Sequence, residues 1–176
     1  MKFTLTTLPG TYLVDLDPIE DERGFFARSW CREEFSAVGI DSNLEQCSIS
    51  FNRQQGTLRG MHFQVKPHGE AKLVRCTRGA IHDVAVDLRP DSPTYLQYVS
   101  VELSADNRRA LFVPAGLAHG FQTLIPNSEV FYQMSCAYVP GAGRGVRWDD
   151  PAFGIVWPDD ERTISERDRT WPDYAP

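Results

Sequence analysis

No run of apolar residues in this sequence approaches the roughly 18 that cross a bilayer as a helix, and the Met1-Lys2-Phe3-Thr4 start lacks the apolar core of a signal peptide. Neither a membrane partner nor export is expected, and the chain reads as cytoplasmic. Basic runs are missing as well. Eighteen Lys and Arg stand against 24 Asp and Glu, a net charge of −6, and the basic residues are scattered, which argues against nucleic acid or an anionic membrane surface as a partner. Any anion must be held locally. Cysteine is sparse: Cys31, Cys47, Cys76 and Cys136 lie far apart with no CxxC, so buried free thiols are expected rather than disulfides or a zinc site. Internal repeats and low-complexity segments are absent. At 176 residues, against about 150 per domain, the chain is expected to form a single domain, 1–176.

What is present is enough apolar material for a core, 41% against 24% charged. Helical periodicity is confined to Cys31–Val38, closed by Gly39, and the tail from Pro158 is polar and Pro-flanked. From about residue 44 to 148 the pattern is one of short strands punctuated by turns. The clearest are Leu58–Gln64, Lys72–Cys76, Ala80–Leu88, Tyr95–Leu103, Arg109–Val113, Gly120–Leu124, Val130–Val139 and Gly145–Trp148. Eight strands in one domain predict an all-β jelly roll or small barrel. Alternation assigns faces: Gly60, His62 and Gln64 share one, as do Lys72, Val74 and Cys76, and Tyr132, Met134, Cys136 and Tyr138. Asp83 and Asp87 share a face, either lining a polar cavity or solvated. Strands as long as Tyr95–Leu103 would leave open edges in a monomer, so a partner subunit is expected to cover them.

Two of the four histidines stand at informative places: His62 on a strand with Arg59 and Gln64, and His119 in Pro114-Ala115-Gly116-Leu117-Ala118-His119-Gly120. That combination resembles a cupin barrel, in which both histidines reach one cavity. A metal set of His62, Glu70 and His119 has ligand types that Fe or Mn accept. Gln64 stands where a second strand histidine would be, which disfavours it. Without a metal the cavity would hold His62, Lys72, His119, Tyr132 and Tyr138, plus whichever carboxylate reaches a histidine. This is an acid–base set: a histidine base near neutral pH, a tyrosine to return a proton from the other side, and an ammonium to steady an enolate oxygen. Those are the parts needed to invert a carbon beside a carbonyl.

These residues resemble the dTDP-4-dehydrorhamnose 3,5-epimerases of the cupin superfamily. Motifs in family order run almost end to end, from Asp21-Glu22-Arg23-Gly24-Phe25-Phe26 through Leu58–Gln64, Ala71–Cys76, Asp83–Arg89, Ser92-Pro93-Thr94, Val113–Phe121, Trp148–Pro151 and Ile155–Pro158 to Ile164–Asp168. The resemblance implies a double-stranded β-helix, or jelly roll, and an isomerase without a redox cofactor. Its substrate would be a nucleotide-diphosphate-linked 4-keto-6-deoxy sugar, within carbohydrate biosynthesis. It makes His62 the base, Asp168 its orienting carboxylate, Tyr132 the acid, and Lys72 with His119 the neighbours of the keto oxygen. Tyr138 would line the sugar pocket. Arg23 and Arg59 would hold the diphosphate, as forked donors suit, and Phe26, Gln46 and Ser48 would sit near base and ribose. Arg59 has odd parity with His62, so it is expected at the strand end, where twist relaxes alternation. A homodimer exchanging its first strands is implied.

Three departures from the family pattern fall in the nucleotide half of the site: Arg28 for a glutamate, Ser48 for an asparagine, and Gly143-Arg144 where a glutamate is expected. They leave open a monofunctional 3- or 5-epimerase acting on a GDP- or CDP-linked keto-sugar. A metal-dependent cupin enzyme and a sugar-binding barrel without activity are the further alternatives.

Overall fold

Antiparallel pairing of short strands dominates the computed structural model, which describes residues 1–41 and 43–175. In chain order the strands are β1 (Lys2–Leu5), β2 (Tyr12–Asp15), β3 (Ile19–Asp21), β4 (Gly24–Phe26), β5 (Gln46–Asn52), β6 (Thr57–Gln64), β7 (Lys72–Arg78), β8 (Ala80–Asp87), β9 (Tyr98–Ser104), β10 (Ala110–Val113), β11 (Leu117–Thr123), β12 (Ser128–Met134), β13 (Gly143–Gly145) and β14 (Thr163–Ile164). Two short helices accompany them, α1 (Arg32–Ala37) and α2 (Glu166–Arg169). One sheet runs β1-β2-β10-β7-β12-β5; the other runs β13-β6-β11-β8-β9, with β14 laid parallel to β6. The two sheets form the expected all-β jelly roll. Hairpin β3–β4 pairs with neither.

Three apolar clusters fix these layers. Leu8, Val74, Cys76, Ile81, Ala85, Leu111, Phe121 and Val130 meet between the sheets. Leu58, Met61, Val84, Val86 and Ala118 face outward from the second sheet under Val146, Phe153 and Trp157. Val14, Leu73, Ala110 and Phe112 face outward from the first sheet under Phe35 of α1 and Ile40. Burying such side chains is the main favourable contribution to folding, about 1.5–3 kcal/mol for each large one.

Several expected boundaries move. The run from Tyr95 becomes strand only at Tyr98, because Ser92–Gln97 closes turns and Leu96 takes a left-handed φ of +66°. The run from Gly120 begins earlier, at Leu117, and ends at Thr123; that from Val130 begins at Ser128 and ends at Met134, where the Ser135 N–H turns to the Ala71 carbonyl. β13 precedes the run expected at Gly145–Trp148. All four cysteines are unbonded, but only Cys76 is buried; Cys47 is exposed because it points outward from β5. Asp83 and Asp87 are fully buried, which removes the solvated alternative.

Candidate active site

β6 carries the centre of the site, and its register explains how. His62 lies opposite His119 of β11, whereas Arg59 lies opposite Phe121: three steps on one strand match two on the other. The extra residue is a β-bulge, which restores Arg59 and His62 to a common face. Leu58 and Met61 accordingly share the outer cluster. Arg59 is therefore not carried by relaxed twist at a strand end, as its parity suggested; the bulge reorients it. The bulge needs glycine on both strands. A Cβ on Gly60, whose φ is +137°, would lie 2.6 Å from the Gly120 Cα, and one on Gly120 would lie 2.8 Å from the Arg59 carbonyl.

His62 Nε2 is 2.6 Å from Asp168 Oδ1, and the Gly60 N–H points at Asp168 Oδ2 at 3.4 Å. Burial pushes the Asp168 carboxyl up, but the His62 hydrogen bond and charge, with the Gly60 and Ser165 bonds, outweigh it and hold the pKa below the usual carboxylate value. An ionised carboxylate only accepts, so Nε2 carries the proton and Nδ1 is left as the basic atom. Asp168 comes from α2, whose N-cap Ser165 accepts the Asp168 N–H at 3.1 Å.

His119 lies beside His62 on the inward face, with Nε2 2.8 Å from Asp83 Oδ1. Asp83 reaches it from β8, and its Oδ2 has no hydrogen-bond partner among the described residues. From the opposite sheet, Tyr132 of β12 presents its ring edge-on to His119, centroids 6.0 Å apart. Burial, then the Asp83 charge, raise the Tyr132 pKa well above the ordinary phenol value, against a smaller opposing pull from Arg59. The phenol keeps its proton. Lys72, at the start of β7, is 8% exposed; its Nζ lies 3.0 Å from Glu70 Oε1 and 3.4 Å from the His62 carbonyl. His62, His119, Lys72 and Tyr132 thus line one lumen. Among the described residues no three His, Cys, Asp or Glu side chains are placed to hold a metal. His62 and His119 turn Nε2 to carboxylates, and Glu70 faces Lys72.

β5 extends the polar wall. Ser48 lies opposite Tyr132, and Gln46, Ser48, Ser50 and Asn52 alternate inward while Cys47, Ile49 and Phe51 are exposed. Asn52 was missed by the sequence reading, yet its Oδ1 accepts Arg59 Nε at 2.7 Å; its period-2 relation to Gln46 and Ser48 was the available signal. Glu70 was seen only as a metal ligand beside His62 and His119, and Asp83 without a partner; the structure gives them Lys72 and His119 respectively. Tyr138 does not share the inward face of Tyr132, because β12 has already ended; it is 56% exposed, and its N–H donates to Gln46 Oε1 at 3.0 Å. Cys136 likewise lies beyond the strand. Arg23 and Phe26 are on the β3–β4 hairpin, apart from this cluster: Phe26 is 73% exposed and Arg23 is forked onto Asp21. Arg28 bonds Glu34 of α1 at 3.1 Å rather than facing the lumen. Arg144 turns its guanidinium onto the Gly141 and Gly143 carbonyls. A separate cavity of about 650 Å³, lined by Phe63, Val65, Leu88 and Pro93, contains none of the histidines and not Tyr132.

A base held by a carboxylate on one sheet, a protonated phenol on the other and an ammonium beside them can remove and return a proton at a carbon next to a carbonyl. Comparison with known proteins agrees with that chemistry. Residues 5–175 match the family model described as dTDP-4-dehydrorhamnose 3,5-epimerase. The chain is 46% identical over 173 residues to the protein of that name from Sinorhizobium fredii, covering 98% of this chain and 89% of the relative. It superposes with a TM-score of 0.95 on the Bacillus anthracis dTDP-4-dehydrorhamnose 3,5-epimerase crystallised with TDP and PPi, at 39% identity and covering 98% and 99% of the two chains. For the Legionella pneumophila dTDP-6-deoxy-D-glucose-3,5-epimerase in complex with dTDP-4-keto-L-rhamnose, the TM-score is 0.89 at 33% identity, covering 95% and 89%.

Proposed function

The chain belongs to the dTDP-4-dehydrorhamnose 3,5-epimerase family, and from that premise we propose that it converts dTDP-4-dehydro-6-deoxyglucose to dTDP-4-dehydrorhamnose by inverting C3 and C5. The C4 ketone acidifies the protons at both carbons. His62 Nδ1 removes one, Lys72 and His119 hold the resulting enolate oxygen, and Tyr132 delivers its proton to the opposite face. No electron or hydride moves in these steps. The observation that carries the reading is the placement of the His62–Asp168 pair on one sheet and the protonated Tyr132 on the facing one. Base and acid on opposite walls invert a carbon; on one wall they would restore it.

Arg59, fixed by Asn52, and the row Gln46 and Ser48 are assigned to the diphosphate and nucleoside. Arg23 and Phe26 serve the same half from a second copy of the chain. This homodimer is supported by the unattached β3–β4 hairpin, which exposes Ile19 and Phe26, and by the outward face of edge strand β5, which exposes Ile49 and Phe51. The single domain is thus completed by exchange. Among the described residues no helix is long and apolar enough to cross a membrane, and four unpaired thiols suit the reducing cytoplasm.

The test is deuterium wash-in. In heavy water the wild type should label dTDP-4-dehydro-6-deoxyglucose at C3 and C5, and His62→Ala should not. Equal labelling by the variant would remove His62 as base, label at one carbon only would reduce the activity to a single inversion, and faster labelling of GDP- or CDP-linked keto-sugars would displace thymidine as the base.

A further inference from the structure

Lys72 is a flexible side chain asked to present one hydrogen to a small oxygen. On the reading that this oxygen belongs to the enolate, we propose that Glu70 is the positioning residue that aims Lys72, with Gln64 as the amide that holds Glu70. The ammonium has three N–H donors. One meets Glu70 Oε1 at 3.0 Å and a second the His62 carbonyl at 3.4 Å, which leaves the third for the lumen. Both side chains of the ion pair are only 10% exposed, so water replaces neither contact freely. The other Glu70 oxygen, Oε2, accepts Gln64 Nε2 at 3.2 Å. Gln64 Oε1 in turn accepts the Val139 N–H at 3.0 Å, while its Nε2 also approaches the Ala137 carbonyl and Cys136 Sγ. An amide flip would lose both ends of this chain at once. Glu70, a candidate metal ligand by sequence, and Gln64, which stands in place of a second strand histidine, here form a relay that locks a lysine.

The experiment compares Glu70→Gln, Glu70→Asp and Gln64→Leu with the wild type, measuring kcat, KM and deuterium wash-in. E70Q should keep KM within about twofold while kcat falls about tenfold or more, the scale of one charge-assisted hydrogen bond. E70D, which keeps the carboxylate, should recover most of that loss. Wild-type kcat in E70Q would overturn the proposal, as would an E70D kcat that falls equally far. Should E70Q not fold, Q64L decides: kcat must fall with KM kept, and an unchanged kcat overturns the proposal. A wild type that exchanges no deuterium would instead sink the epimerase reading.

Discussion

At the scale of single residues, burial and partner choice divide the proton inventory of the site. Burial and the Asp83 charge raise the Tyr132 pKa, which suits the acid role proposed for it. Asp168 is 5% exposed, but its bonds from His62, Gly60 and Ser165 overcome burial and keep it ionised. The two oxygen acids are thus set to opposite protonation states by their surroundings. Asp168→Asn keeps the shape and removes the charge, so the imidazolium formed on proton abstraction loses its counter-ion. We expect kcat to fall about 10²-fold or more with KM little changed. Stability gives an independent readout. Because the folded pKa lies below the ordinary carboxylate value, the contribution of Asp168 is present above that value and lost as pH falls through the folded pKa. The difference in thermal midpoint between wild type and D168N should therefore be widest near neutral pH and shrink below about pH 4. A gap that ignores pH would show that the pair contributes through shape alone.

At the scale of elements, α2 is too short to be stable alone, since isolated helices need about 12–15 residues even to be marginal. Its position is imposed by neighbours: β14 pairs with β6 through Thr163 and Ile164, Ser165 caps the first turn, and the Trp171 ring beyond α2 lies against Gly145 of β13. A Cβ at position 145 would collide with that ring. Gly145→Val should push Trp171 away and drag Asp168 from His62, lowering kcat well before the fold is lost. A crystal structure of the variant with the 2.6 Å contact intact would refute this coupling. The same elements show what a sequence discloses. β6, β7, β8 and β10 were legible because their apolar residues face inward or lie under covered faces, and the Ser-x-x-Asp cap before α2 was legible in principle. β5 was not, since its polar Gln46, Ser48 and Ser50 face the lumen and its apolar Ile49 and Phe51 face outward, inverting the usual pattern. Arg59 was misplaced by a bulge that alternation does not encode, and Tyr138 by a strand ending at Met134 on a long-range bond to Ala71. The pairing of Asp168 with His62 spans 106 residues and came from resemblance, not from periodicity.

At the scale of the whole molecule, the proposed substrate would bring a diphosphate to a chain of net charge −6; of the two arginines assigned to it, Arg59 stands on the polar wall of the barrel and Arg23 on a hairpin outside both sheets. That hairpin carries Ile19 and Phe26 more than two-thirds exposed, and such apolar surface on a detached ribbon calls for a partner. Two copies related by a twofold axis would cover both hairpins and both β5 faces by the same contacts. Exchange makes a prediction that simple side-by-side association does not. Arg23→Ala and His62→Ala should each be poorly active alone. In a dimer of one R23A and one H62A chain, the barrel that keeps His62 receives the hairpin that keeps Arg23, so one of its two sites is whole. Refolded together from an equal mixture, the two inactive variants should recover roughly a quarter of wild-type activity, because half of the dimers are mixed and each holds one complete site. If each hairpin served its own barrel, every site would lack one residue or the other, and mixing would restore nothing.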